Sequence, residues 1–279
     1  MRSGNSQTAK DGTALPAHKD GPSLLRRVIS VIVLVPPTLA IVYFGSPYFD
    51  ALVLLVAGGL AYEWARLCGG GKVRPAGWAV LVLALLSVTA AIVGPDQVAV
   101  GLLAVGAVGI YFSGRFEDGG KGAWLAGGLF YVAIPCIACL WLRHDPDIGR
   151  ANFFWLLGVV WVTDISAYVF GRTIGGPKLA PSISPHKTWA GLVGAVILAG
   201  LAGWALALGL NIPEAGLLGA FGAALAIIAQ GGDFGESAVK RHFGVKNTGK
   251  LIPGHGGLMD RLDGLLIAAP VVMLVQWLT

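Results

Sequence analysis

The run WAGLVGAVILAGLAGWALALGL, residues 189–210, extends for 22 residues without an ionisable side chain. A helix that crosses the hydrocarbon core of a bilayer needs about 20 mainly apolar residues, whereas a helix on the surface of a soluble domain keeps a polar face. Working outward, eight more segments read the same way: 28–45, 48–66, 77–94, 97–113, 123–142, 152–171, 214–232 and 262–279. The expected fold is therefore an all-α polytopic membrane protein of about nine transmembrane helices. Composition agrees: 55% of the chain is hydrophobic and 13% is charged, about half the ~25% charged residues of a soluble protein. Glycine, at 42 residues, suits close helix packing in lipid.

The formal charge of +5 is spread between the hydrophobic segments, not gathered into a basic patch, so it speaks to topology and excludes a nucleic-acid partner. With the N-terminus placed in the cytoplasm, the cytoplasmic segments are the N-terminal residues and the connections near 67–76, 114–122, 172–188 and 233–261. Together they hold 18 of the 20 lysines and arginines, counting Arg66 at the boundary of the first connection, and only Arg143 and Arg150 fall outside. This orientation sends the C-terminus outward, and the expected location is a bacterial cytoplasmic (inner) membrane. Residues 1–24, rich in Ser, Gly, Lys and Asp, read as a disordered cytoplasmic tail. Residues 25–151 then form the N-terminal helices, with an uncleaved first span, and 152–279 the C-terminal helices that carry the site. Cys68 stands alone, and Cys136 and Cys139 lie inside an apolar segment with no second Cys/His pair to complete a metal site, so they read as packing.

The polar residues inside or beside spans carry the chemistry. Asp164 lies within the sixth span, in VVWVTDISAYVFGR, where a carboxylate is costly and must face a partner or a wet cavity. Tyr168 and Arg172 follow at four-residue steps on the same face, and a structural pairing with Arg172 is the plain alternative. The loop GGPKLAPSISPHKTWAG brings Ser182, Ser184, Thr188, Lys178 and Lys187 together with three prolines that keep the backbone extended. Hydroxyls and cations beside free amides suit phosphate oxygens, although such a loop could also only anchor at lipid headgroups. If the eighth helix continues past residue 232, Asp233, Glu236, Ser237 and Lys240 share one face at i, i+3, i+4 and i+7. In the last loop, Lys246, Lys250 and His255 precede the pair Gly256 and Gly257, and Asp260, Arg261 and Asp263 open the ninth span. Paired carboxylates beside cations suit a divalent ion shared with a phosphate, because Mg²⁺ usually takes one or two carboxylates plus phosphate oxygens.

These residues resemble a known signature. Ser237, Lys240, Arg241, Lys246, Gly249, Pro253, His255, Gly256, Gly257, Asp260, Arg261 and Asp263 stand at the spacings of the phosphatidate cytidylyltransferase (CDP-diacylglycerol synthase) family, a dozen positions over 27 residues. SPHKTW, 184–189, resembles the family's Ser-Pro-x-Lys-Thr loop, and Asp164 to Gly171 resembles its Asp-x-x-Ala-Tyr-x-x-Gly element. The likeness runs from about 161 to 264. Two positions depart from it: Asn247 stands where the signature usually has Asp, and Ala190 where an acidic residue is common.

The resemblance implies transfer of CMP from CTP to phosphatidic acid, giving CDP-diacylglycerol and pyrophosphate, with Mg²⁺ and room for a second cation, and it is compatible with a homodimer. Charge type and position then assign roles as hypotheses. Asp233 and Asp260 hold the ion, with Asp263 and Glu236 beside them; Lys240, Arg241, Lys246 and Lys250 neutralise the triphosphate. Ser182, Ser184 and Lys187 hold the lipid phosphate or the departing pyrophosphate, with Ser237, Arg261 and Asp164 as further substrate contacts, and His255 hydrogen-bonds a phosphate. Two other readings compete. A CTP-dependent polyprenol or dolichol kinase would need a general base for its alcohol and would release CDP. An anionic-solute transporter would be expected to show internal repeats, and the sequence shows none.

Overall fold

The computed structural model describes residues 24–117, 120–249 and 256–278. The tail expected over 1–24 lies outside the described residues except for Leu24, which opens the first helix. Nine helices occur among the described residues: α1 (Leu24–Phe44), α2 (Tyr48–Cys68), α3 (Pro75–Val93), α4 (Asp96–Glu117), α5 (Gly122–His144), α6 (Gly149–Thr173), α7 (Trp189–Gly209), α8 (Ala215–His242) and α9 (Met259–Leu278). A two-stranded antiparallel hairpin, β1 (Lys178–Ala180) and β2 (Ser184–Thr188), lies between α6 and α7. Helices α2 to α9 are each long and apolar enough to cross a membrane, and α1 adds an apolar stretch from Val35 to Phe44. Large apolar side chains such as Leu55, Val105 and Trp277 stand exposed on the outside of the bundle. A water-facing surface would not carry so many, and lipid accommodates them. The chain is thus a multi-pass integral membrane protein.

Two differences from the sequence reading bear on the site. The fourth span, expected only over 97–113, is a full helix to Glu117. The eighth, expected to end near 232, continues ten residues further to His242. At a rise of ~1.5 Å per residue its 28 residues measure about 42 Å, well beyond a ~30 Å hydrocarbon core. The excess carries the polar turns from Asp233 onward past the apolar part of the helix.

Helices α6, α7 and α8 form one closely packed group. At Gly203 of α7 and Gly222 of α8 the backbones are in direct contact: a Cβ on Gly222 would lie 2.8 Å from the Ala199 carbonyl oxygen. A buried hydrogen bond from Trp155 Nε1 to the Gly203 carbonyl, 2.8 Å, ties α6 into the same group. Helices α2 to α5 pack on one another, and α9 lies against α5, α6 and α8. At the polar end, Trp64 of α2 donates to the Trp124 carbonyl of α5 at 2.9 Å, and the Trp124 ring stacks on His242 at the end of α8, centroids 4.5 Å apart. The polar end of α8 is thereby braced against the N-terminal helices.

Candidate active site

Asp233, Glu236, Ser237 and Lys240 fall on one face of the extended α8, as their spacing predicts. Lys240 Nζ lies 3.0 Å from Glu236 Oε1 and 2.8 Å from Asp260 Oδ1 in the first turn of α9. This largely buried ammonium bridges the two helices. Glu236 is only 2% exposed, and neither of its carboxylate oxygens has an aligned hydrogen-bond partner among the described residues. Such a group is costly unless a cation compensates it. Asp233 sits at the rim: its Oδ2 pairs with Lys187 Nζ at 2.6 Å, and Ser237 Oγ donates to its Oδ1 at 3.5 Å. Asp263 and Asp164 complete the group, each within electrostatic reach of Asp233.

Lys187 is delivered by the hairpin. Prolines and a three-residue turn leave these strands too short for the apolar alternation that marks a strand in sequence, so only the extended backbone was legible. Register pairs Lys178 with Thr188 and Ala180 with Ser184. Thr188 then caps α7, its Oγ1 accepting from the Gly191 amide at 3.1 Å. Thus Lys187 is fixed between a strand and a helix N-terminus, with its ammonium 4.3 Å from the centre of the Phe234 ring as well as on Asp233. Ser182 is exposed near the turn and Ser184 half-buried on β2.

The α8–α9 connection is held by a residue absent from the sequence reading. Glu63 of α2 is 1% exposed. Its Oε1 accepts from the Leu258 amide at 2.8 Å; its Oε2 accepts from the Met259 amide at 2.9 Å and from Thr248 Oγ1 at 3.0 Å. It caps α9 from the other half of the molecule, satisfying amides that the helix cannot. Asp260 works from the inside of the same turn, its Oδ2 taking the amides of Thr248 (3.2 Å) and Gly257 (3.0 Å) and the Thr248 hydroxyl (3.3 Å). Gly257 is enclosed by this clamp, where a Cβ would strike Thr248 Oγ1 and the Glu63 carboxylate. Gly257→Ala is therefore expected to lower thermal stability by about 1–3 kcal/mol through overpacking and to cut turnover with it; a melting curve beside an activity assay checks both.

The sequence-predicted residues do not all converge. Asp233, Glu236, Ser237, Lys240, Asp260, Asp263, Asp164 and Lys187 do. Arg172 donates to Tyr168 Oη at 2.6 Å on an exposed face, so Asp164 faces the carboxylate group and not Arg172. Arg241, Lys246, Asn247 and Arg261 are exposed, Arg241 reaching the Val245 carbonyl at 3.3 Å. Lys250 and His255 lie outside the described residues. A second unanticipated residue is Tyr131 of α5. Its buried hydroxyl has no hydrogen-bond partner among the described residues and lies within electrostatic reach of Glu236, Asp263 and Asp233.

Among the described residues no three carboxylate, imidazole or thiolate groups already form a metal-ligand cluster. The donor chemistry nevertheless fits a Mg²⁺ that arrives with phosphate oxygens, since such an ion needs only one or two protein carboxylates. Glu236 Oε1 already faces the Lys240 ammonium at 3.0 Å, while its buried Oε2 has no partner among the described residues and is left for such an ion. Asp260 Oδ1, with Lys240 as its protein partner, retains a lone pair for it.

The chain is similar to known proteins over most of its length. Residues 25–279 match the Cytidylyltransferase family. A phosphatidate cytidylyltransferase of Brucella abortus (strain 2308) is 38% identical over 264 residues, 90% of this chain and 93% of that protein. One from Rickettsia bellii is 28% identical over 288 residues, covering 100% of this chain and 98% of its own length. A third, from Staphylococcus saprophyticus, is 37% identical over 151 residues, 53% of this chain and 58% of that protein.

Proposed function

The chain belongs to the Cytidylyltransferase family, and from that premise we propose that it transfers the CMP moiety of CTP to phosphatidate, yielding CDP-diacylglycerol and pyrophosphate. The observation that carries this reading is the carboxylate–lysine group of α8 and α9 set against the Lys187 hairpin at one end of a membrane bundle. Both substrates are phosphate anions, and one is confined to the bilayer. A site at the membrane edge with alternating cations and carboxylates can bring the two together, where water alone would leave them repelling each other.

In the reaction, an anionic oxygen of phosphatidate attacks the α-phosphorus of CTP. The new P–O bond forms as the bond from the α-phosphorus to its bridging oxygen breaks, and the electron pair leaves with pyrophosphate. No general base is needed, because the attacking oxygen already carries negative charge. Lys187, held on the hairpin, and the exposed Arg241 and Lys246 offer donors to phosphate oxygens, with Ser182 and Ser184 beside Lys187. Lys240 orients Glu236 and Asp260 and keeps their mutual repulsion in check. Asp233 and Asp260 would hold Mg²⁺, with Glu236 and Asp263 adjacent; the ion would supply charge neutralisation across the phosphates. The same proposal places the site on the cytoplasmic face of a bacterial inner membrane, where CTP is made, with the N-terminus on that side.

The Tyr131 hydroxyl, without a hydrogen-bond partner among the described residues and within electrostatic reach of this group, is suited to donate to a substrate phosphate. Tyr131→Phe is expected to retain or raise thermal stability, since it removes an unsatisfied buried hydroxyl, while kcat/KM falls about tenfold, the worth of one hydrogen bond. Equal kcat/KM in the two proteins would contradict this role.

The test of the function is pyrophosphate release by detergent-purified protein given CTP. Release that needs both phosphatidate and Mg²⁺, with a lipid-soluble CDP product in equal amount, is expected. Release of CDP with a phosphorylated lipid alcohol would instead favour a lipid kinase.

A further inference from the structure

A partly open cavity of about 460 Å³ lies between α1, α2, α5, α6 and α9, and nearly all of its lining is apolar. Its two ends differ. At one, Asp164 belongs both to the cavity lining and to the carboxylate group, and Arg261 lines the same end, so the space adjoins the polar cluster at Asp164. At the other, Phe49 of α2 and Phe153 of α6 meet edge to face with ring centres 5.0 Å apart, each almost fully buried. Along α6 the eleven residues from Asp164 back to Phe153 measure about 16 Å. Val56, Cys139, Leu157 and Val160 form walls between these ends. The space is therefore a long apolar slot that begins at the phosphate-handling site and stops at an aromatic pair.

An apolar cavity of this kind is a poor host for water and a good one for hydrocarbon. The reacting phosphate of the lipid must reach the carboxylates and Lys187, so the chain attached to it starts at the slot's polar end. The Arg261 guanidinium at that end complements a phosphate head. We propose that the slot receives one acyl chain of the phosphatidate while the other stays in the bilayer, and that the Phe49–Phe153 pair sets the longest chain the slot admits. This rests on the reading of phosphatidate as the substrate.

Two measurements test it. The first compares kcat/KM for dipalmitoyl and dihexanoyl phosphatidate. Leu157→Trp and Val56→Phe, which fill the slot midway, are expected to lower the long-to-short ratio at least about tenfold, the scale on which apolar pockets discriminate methylenes. Phe153→Ala is expected to extend the preference to longer chains. An unchanged ratio in all three would overturn the proposal. The second needs no variant and no turnover: phosphatidate carrying a photoreactive group at one chain terminus is crosslinked to the parent protein, and the adducts are mapped by mass spectrometry. Adducts on the α2 and α6 segments around Phe49 and Phe153 are expected. Adducts confined to the outward faces of α3 and α4 would overturn the proposal, and so would failure to reach the slot because a resident lipid fills it. If the parent protein bound phosphatidate in the slot but formed no CDP-lipid from any chain length, the functional reading would fail while the acyl site stood.

Discussion

Asp233→Asn is expected to lower turnover by at least about 10²–10³-fold, the range seen when one preorganised electrostatic group is lost from an active site, while the protein stays in the membrane fraction. The substitution keeps the shape of the side chain and removes its charge. It weakens the 2.6 Å pair with Lys187 and takes a carboxylate from the group that would hold the divalent ion. These two consequences are separable. If Asp233 served only to position Lys187, the double substitution with Lys187→Ala would be no worse than Lys187→Ala alone. A role in holding the ion predicts that the double variant is worse, and that extra Mg²⁺ partly restores Asp233→Asn but not Lys187→Ala. Activity in Asp233→Asn within tenfold of the parent would remove Asp233 from the chemistry.

The second large effect is expected at Glu63, which no motif marks. Glu63→Ala leaves the amides of Leu258 and Met259 without their acceptor and removes one of the two acceptors of the Thr248 hydroxyl, the other being Asp260. Breaking a buried charged hydrogen-bond set of this kind costs about 3–5 kcal/mol. Because the same turn carries Asp260, activity should fall together with the melting temperature. Glu63→Gln sharpens the test. Each Glu63 oxygen accepts from a backbone amide, so either orientation of a glutamine directs its NH₂ at an N–H. It should therefore rescue little, despite its matching size. A glutamine variant with parental stability and activity would show that the clamp does not matter.

The helices were legible because length and composition are enough to define a membrane span, and the single-face arrangement of Asp233, Glu236, Ser237 and Lys240 was legible because helical periodicity is fixed. The limit of α8 was not, since polar residues past 232 suit an exposed helix and a loop equally. The hairpin was too short for alternation to show, although Pro177, Pro181 and Pro185 marked it as extended. Glu63 lies 185 residues from Thr248 in sequence, and local reading does not cross that distance. A signal existed all the same: a carboxylate in the apolar span YFDALVLLVAGGLAYEWARLC is as costly as Asp164 is in its own, and the same reasoning applies to both. Tyr131 had no such signal, because aromatic residues are ordinary in membrane helices and only the packing of α5 against α9 brings its hydroxyl to the site.

The central claim is that the α-phosphorus of CTP ends in the lipid at this site. The direct measurement is to give purified protein and phosphatidate with Mg²⁺ either CTP labelled at the α-phosphorus or CTP labelled at the γ-phosphorus, and to count label in the extracted lipid. Label entering the lipid from the α position, with γ label recovered as pyrophosphate and both lost in Asp233→Asn, is the predicted result. Lipid labelled from the γ position, or no lipid label from either under any divalent metal, would contradict it.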